Sequence, residues 1–285
     1  MIKKTLKALI LIKTFLNISL IIKKTLNQLI EKNLISLNIA TQVQLNLTKR
    51  PHYLYCLYHS ALLAKKLNIK KISVIEFGVA GGNGVLFIES YIEAIKNELG
   101  VEIDIYGFDL GSGLLKPNGH QDLPYWFNEN LYKMDFEKLK KKLKKTKLLI
   151  GDVKHTINDF FKNYNPAPIA AIFNDLDYYS STKNSFEIFN HDDKYYLPRI
   201  FLYFDDVEGT EKEMYGEFNG ELLAIKEFNN ENKNKKIALN QNLLTKQIKY
   251  KLKVYYFHNF NHKDYNKYIY KNEQIEVSSR LNIKE

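Results

Sequence analysis

The sequence predicts an α/β fold built on a mostly parallel central sheet. Three observations carry this expectation: β-branched apolar runs alternate with segments of helical apolar spacing, several runs end in an acidic residue, and the first feeds a glycine-rich turn that opens a helix. Residues 51–67 (PHYLYCLYHSALLAKKL) have helical spacing and lead into a first strand at 71–77 (KISVIEF). Residues 78–84 form the glycine turn, 85–98 the next helix, and 102–108 a second strand that ends at Asp109, completing a βαβ unit. A third strand, 147–150, stops at Gly151-Asp152; a fourth, 169–173, runs to Asp175; a fifth, 199–204, runs to Asp205-Asp206. Residues 216–229 read as a helix, and 236–239 with 251–257 supply one or two edge strands, for about seven in all. The polar stretch 229–236 (NNENKNKK) is a loop within the domain, because apolar strands resume directly after it.

With 45% apolar and 26% charged residues, the 285-residue chain can bury an ordinary core, which excludes wholesale disorder. One cysteine, Cys56, excludes an internal disulfide and a thiolate zinc site, and a reducing cytoplasm is the expected location. The net charge of +10 invites a nucleic-acid reading, but the excess is local: residues 1–50 hold nine basic side chains against one acidic, and residues 133–147 hold eight lysines against Asp135 and Glu137. Only Arg50, Arg199 and Arg280 offer the guanidinium fork that phosphate and base readout favour, so nucleic acid is not an expected partner. At the N-terminus Lys13 interrupts the apolar run, leaving Thr14 to Ile22 as the longest uncharged stretch, short of the roughly 20 residues that span a bilayer. No small-residue cleavage pattern follows it. Residues 2–38 are expected to form one or two lysine-studded helices that pack on the domain or on a second copy in a homo-oligomer. A basic helix of this kind can also lie at an anionic membrane surface. The expected division is a helical extension, 1–50, and one domain, 51–285.

Glu76-Phe-Gly-Val-Ala-Gly-Gly-Asn-Gly84 stands between a strand and a helix, where backbone N–H groups face outward and the helix start is positively polarised. Gly78, Gly81, Gly82 and Gly84 have no Cβ, so the chain can turn tightly against a ligand. A lone glycine turn is often only a turn; here Asp109 closes the next strand, where a carboxylate accepts bonds from a ribose diol. Nicotinamide and S-adenosylmethionine proteins share this layout. The spacing Glu76-x-Gly78-x-Ala80-x-Gly82 resembles the acidic-x-Gly-x-Gly-x-Gly pattern of class I methyltransferases more than the pyrophosphate motif, with Ala80 in place of the middle glycine. That resemblance implies a Rossmann-like class I methyltransferase fold, S-adenosylmethionine as cofactor, and Asp152 beside the adenine amine.

In Phe173-Asn-Asp-Leu-Asp-Tyr-Tyr-Ser-Ser-Thr182, Asp175 and Asp177 stand at a strand's carboxyl end, where open α/β sheets place their ligands, and Asp205-Asp206 close the next strand. Up to four carboxylates near one point repel unless a cation neutralises them, and all-oxygen ligands suit Mg²⁺, with Mn²⁺ or Ca²⁺ as substitutes. Asp177 has a second reading, as the cap of a helix starting near Ser180.

The same residues carry a family resemblance. Asp175-x-Asp177-x-Tyr179-x-Ser181-Thr182, followed by a strand ending Asp-Asp, and Gly151-Asp-Val-Lys-His-Thr156 are similar to the macrocin/TylF-type sugar O-methyltransferases over roughly residues 51–228. The resemblance implies methyl transfer from S-adenosylmethionine to a hydroxyl of a sugar, free, nucleotide-linked or part of a glycosylated compound, with polysaccharide precursors among the acceptors. It places Asp175, Asp205 and Asp206 on the metal and Asp175 nearest the reacting hydroxyl, so Asp175 is the first choice of base and Asp177 the second. It also puts His52 and Tyr53 over the methionine end of the cofactor, although an aromatic helix face packed in the core is the simpler account of them. The alternatives are a non-sugar acceptor such as a catechol, or an NAD-dependent sugar oxidoreductase, which calls for a Tyr-x-x-x-Lys pair not expected at the sheet's ligand edge. Residues 111–130, rich in Gly, Pro and aromatics, are expected to form a lid. The lysines between 138 and 147 form a solvated face or dock a phosphate-bearing sugar.

Overall fold

The computed structural model describes residues 21–30, 32 and 34–281. Seven strands form one sheet in the order β3-β2-β1-β4-β5-β7-β6. They are β1 (Lys71–Phe77), β2 (Glu102–Asp109), β3 (Thr146–Ile150), β4 (Ile169–Asn174), β5 (Tyr196–Phe204), β6 (Lys235–Leu239) and β7 (Val254–Asn259). The first five are parallel, and β7 runs antiparallel to both β5 and β6.

Because parallel strands are covered on both faces, their sequences read as continuous apolar runs. In β1, Ile72 and Val74 enter a core with helices α3 (Pro51–Lys66) and α4 (Asn83–Leu99). Ile75 and Phe77 point the other way, into a second core with α6 (Val153–Tyr164) and α8 (Gly220–Glu231). The chain winds outward from β1 through β2 to β3, then crosses back to β4 and β5. The strand order therefore reverses between β1 and β4, which opens a crevice at their carboxyl ends.

β5 begins three residues before the sequence reading placed it, on the far side of Pro198. Proline cannot donate to the ladder, and the pairing with β4 shifts register between Ile169 and Ala171, so the strand passes Pro198 through an irregularity. Helix α9 (Lys271–Arg280) was not expected from the sequence; it buries no side chain and meets the domain through the Lys66–Glu273 ion pair.

Of the expected N-terminal helices, residues 1–20 lie outside the described residues. Residues 21–30 lie in helix α1, whose Ile21 and Ile22 are exposed. Helix α2 (Ile39–Leu45) is capped by Asn38, and Ile39 joins the α3/α4 core. The Glu98 carboxylate, near the end of α4, accepts the N–H groups of Ile39 (2.7 Å) and Ala40 (3.2 Å), fastening α2 to the domain. Among the described residues no helix is long and apolar enough to cross a membrane.

Glu98→Ala strands two donors at the start of α2. The expected cost is about 1–3 kcal/mol by urea denaturation, with earlier proteolytic cleavage near residues 38–47.

Candidate active site

The carboxyl ends of β1, β2, β4 and β5 surround a cavity of about 440 Å³. Two glycines of the first turn make it possible. Gly78 has φ +83°, and a Cβ there would sit 1.8 Å from the Asp175 carbonyl oxygen, so only glycine lets the turn close against β4. At Gly84 a Cβ would fall 1.8 Å from Glu76 Oε1, so its absence admits the Glu76 carboxylate beneath α4. Gly82, also left-handed, caps α4, while Ala80 adopts φ +41° and donates its N–H to Asp109 Oδ2 (2.8 Å). Asp109 Oδ1 accepts from Gly111 (2.6 Å). Asp109 thus faces the cavity while holding the turns after β1 and β2 together. Asp152 caps α6 by accepting from the Lys154 N–H and also lines the cavity.

Glu76 is 2% exposed. Its Oε1 accepts from the Tyr53 hydroxyl (2.6 Å), the Val85 N–H acts on the same carboxylate, and among the described residues Oε2 has no close hydrogen-bond partner. Burial pushes this carboxyl up to about 7, against the lowering pull of the Tyr53 bond and the Arg50 cation.

His52 and Tyr53 do not line the cavity, in contrast to the expectation of direct cofactor contact. Tyr53 stacks on Phe173 with ring centroids 4.2 Å apart, and His52 stacks on Tyr203 at 4.6 Å. Burial, then the Arg50 cation, pushes the His52 imidazole down to about 4, so it is neutral. The side chain of this segment that does reach the cavity is Arg50, which the sequence reading passed over. Its signal was available: a rare arginine in a lysine-dominated chain, directly before the Pro51 that starts α3.

At the ends of β4 and β5, carboxylate oxygens of Asp175, Asp205 and Asp206 lie within 4.8 Å of one another. Asp206 accepts from the Tyr215 hydroxyl (2.8 Å) and the Asp177 N–H (3.1 Å). Asp205 takes the Tyr203 hydroxyl and, at 3.3 Å, the Lys253 ammonium, which also bonds the Asp205 carbonyl (2.6 Å). Within the trio the bonds of Lys253 go to Asp205 alone. Burial, then the charges of Asp206 and Asp205, raises Asp175 well above the usual carboxylate range. Asp177 is pushed up to about 8 and Asp206 to about 6, burial leading in both. An all-oxygen set that is crowded, partly buried and short of cations fits Mg²⁺ or Mn²⁺.

Asp177 caps no helix. It adopts φ +61°, and α7 (Tyr179–Ser185) has no cap from its N-cap residue, Tyr178. The distant Asp122 serves instead, accepting the Ser180 N–H and hydroxyl at 2.8 Å each. Asp122 and Leu123 are fully buried, and Leu123 packs with Phe127 and Tyr178, so the expected lid is pinned over the cavity. Trp126 and Tyr132 line its mouth. A second overlooked carboxylate, Glu221, is fully buried; its Oε2 accepts the Asp206 N–H (2.8 Å) and its Oε1 has no partner.

A Tyr-x-x-x-Lys pair does occur, as Tyr179 and Lys183, which the sequence reading missed. Both side chains bond Glu227 of α8, and neither lines the cavity. His155 is exposed, and the lysines at 138, 140–142, 144, 145 and 147 form a solvated face. His258 meets the Tyr265 hydroxyl while His262 accepts from the Asp264 N–H, so the two histidines do not share a site.

No family model matches the sequence, and the comparison with curated proteins finds no match. Among solved structures the chain is similar to CalS11, a calicheamicin methyltransferase, with a TM-score of 0.51 at 17% identity over 82% of this chain and 91% of that one. The fold is that of the class I methyltransferases. The O-methyltransferase NovP overlaps more loosely, with a TM-score of 0.48 at 13% identity over 71% of this chain and 77% of that one. In a class I methyltransferase fold the antiparallel β7 between β5 and β6 departs from the all-parallel 3-2-1-4-5-6 order of dinucleotide-binding sheets.

The raised Glu76 pKa has a signed consequence for stability. The folded state holds that proton more tightly than the unfolded chain, so the contribution of Glu76 is fully present below about pH 4.5 and is lost as pH rises through about 7. Glu76→Gln keeps an acceptor for Tyr53 without the charge. The variant is expected to match the wild type near pH 4.5 and to exceed it by up to about 3 kcal/mol above pH 8, measured by denaturation of the ligand-free protein.

Proposed function

We propose that this protein is a metal-dependent O-methyltransferase that moves a methyl group from S-adenosylmethionine to a hydroxyl of a sugar, free, nucleotide-linked or within a glycosylated compound. The observation that carries the reading is the convergence of Asp175, Asp205 and Asp206 within 4.8 Å on the same cavity as the Glu76–Gly84 turn and Asp109. A dinucleotide oxidoreductase leaves that convergence unexplained, and its Tyr-x-x-x-Lys spacing is spent on Glu227.

In this reading Asp109 meets the ribose hydroxyls, Asp152 the adenine, and the turn at Gly78, Ala80 and Gly82 lets the backbone approach the cofactor. Asp175, Asp205 and Asp206 hold the cation. Bound S-adenosylmethionine would supply an electrophilic methyl group, and a bound divalent cation would supply positive charge beside a hydroxyl that gives up its proton. Asp175 and Asp177 line the same cavity beside the proposed cation, and this reading gives them the task of taking that proton at a carboxylate oxygen, Asp175 first and Asp177 second. The pinned segment carrying Trp126 and Tyr132 keeps water from the cavity mouth and holds the acceptor in place. The same reading assigns residues 1–50 to a helical extension and 51–285 to the catalytic domain, with a cytoplasmic location and self-association through the N-terminal helices.

The test is incubation with labelled S-adenosylmethionine and Mg²⁺ against a panel of nucleotide-linked sugars and glycosides, read by mass spectrometry. Transfer of one methyl group is expected, abolished by EDTA and restored by Mg²⁺. Asp175→Asn and Asp205→Asn should each slow it by about 100-fold or more. Full activity in excess chelator would eliminate the metal mechanism.

A further inference from the structure

The rim of the cavity carries apolar side chains that the protein leaves in water. Leu115, Trp126 and Tyr132 line the mouth and are nonetheless exposed, and Tyr125, Leu131 and Met214 extend the patch around it. Hydrogen bonds hold these residues side by side. The Tyr125 hydroxyl donates to the Glu213 carbonyl, next to Met214. The Leu114 N–H donates to the Leu131 carbonyl (2.9 Å), and the Asn130 N–H to the Leu114 carbonyl (2.8 Å). Tyr132 and Met214 adopt φ +59° and +52°, a region that bulky side chains rarely occupy, so the surrounding structure and not local preference fixes their display. Single exposed apolar residues are ordinary, but a group of them around a cavity mouth marks a contact surface.

A collar of lysines adjoins the patch. Residues 111–147 hold nine lysines, all exposed, against Glu129, Asp135 and Glu137 as the exposed acids. Seven of the nine fall between 138 and 147, where among the described residues only Lys145 forms an ion pair, with Glu93. Helix α5 (Phe136–Lys142) buries only Leu139, which packs so closely on Gly82 of the glycine turn that a Cβ there would sit 2.2 Å from Leu139 Cδ1. The lysines of α5 therefore stand beside the cavity. The carboxylates of the site line the cavity, whereas no lysine does.

Exposed apolar side chains beside unpaired lysines match the two layers of a membrane surface, hydrocarbon beneath and anionic headgroups around it. A polyanion such as RNA would engage the lysines and leave Leu115, Leu131 and Met214 in water, and the stretch offers no arginine to a phosphate. A symmetric dimer through this face would bring one lysine collar toward the other. We propose that the cavity rim and α5 together dock on an anionic phospholipid surface, with Trp126 at headgroup depth and the mouth facing the lipid. This surface is separate from the basic N-terminal helices, and its docking does not depend on the methyltransferase reading.

Trp126 is the only tryptophan of the chain and is 41% exposed, so its emission reports on this face. The experiment titrates the full chain with vesicles of phosphatidylglycerol and phosphatidylcholine, or of phosphatidylcholine alone, and reads co-sedimentation and Trp126 emission together. With the anionic vesicles a blue shift and quenching by brominated lipid are expected, both lost at high salt; phosphatidylcholine alone should give neither. Replacing Lys140→Gln, Lys141→Gln and Lys142→Gln together should weaken binding by about 100-fold, the combined effect of three lysines at such a surface, without changing the melting temperature. Lys23→Gln with Lys24→Gln should leave the Trp126 shift in place. Co-sedimentation without a Trp126 shift, or binding that survives the α5 substitutions, overturns the proposal. So does failure to bind the vesicles, whether the face then binds RNA or a second copy, and the methyltransferase reading stands in each case.

Discussion

The crowding of acidic side chains at the ends of β4 and β5 is the constraint around which this site is arranged. Asp175, Asp177, Asp206 and Glu221 all have raised proton affinity, with burial the leading cause in each. Like charges gathered out of water cost free energy unless protons, hydrogen bonds or cations offset them. The fold offers some of each. Tyr203 and Tyr215 donate hydroxyls, the backbone of Asp177 donates an N–H, and Lys253 brings one ammonium to Asp205. That leaves a deficit of positive charge facing the cavity.

The neighbouring half of the cavity obeys the same logic with a smaller cast. Glu76 is buried under α4 because Gly84 makes room, and Tyr53 satisfies one of its oxygens. The topological switch between β1 and β4 brings the two halves together: the Asp175 carbonyl lies where a Gly78 Cβ would otherwise stand. The glycine turn and the acid cluster are therefore in direct backbone contact. Asp122 ties the segment over the cavity to the start of α7.

Much of this was legible in the amino-acid order because it depends on local patterns. Apolar runs of strand length placed the five parallel strands and left one or two edge strands for the rest, with β7 started three residues early and β5 three residues late, the latter because Pro198 argues against a strand that a register irregularity in fact allows. The glycine spacing marked the turn at 78–84, and acidic residues at strand ends marked Asp109, Asp175, Asp205 and Asp206. These signals survive because backbone freedom and strand termini are properties of neighbouring residues.

The sequence by itself determined the class of sheet, the edge where the cavity lies and the identity of the acids along it. Tertiary structure alone decided which groups touch. It turned Tyr53 and His52 into interior packing, brought Arg50 to the cavity, and placed Asp122 on a helix 58 residues away. It also set Glu221 beneath Asp206 and turned the Tyr179–Lys183 pair toward Glu227. The physical reason is that hydrogen bonds and charge pairs act over a few ångströms, and only packing of the whole chain decides which distant side chains come that close.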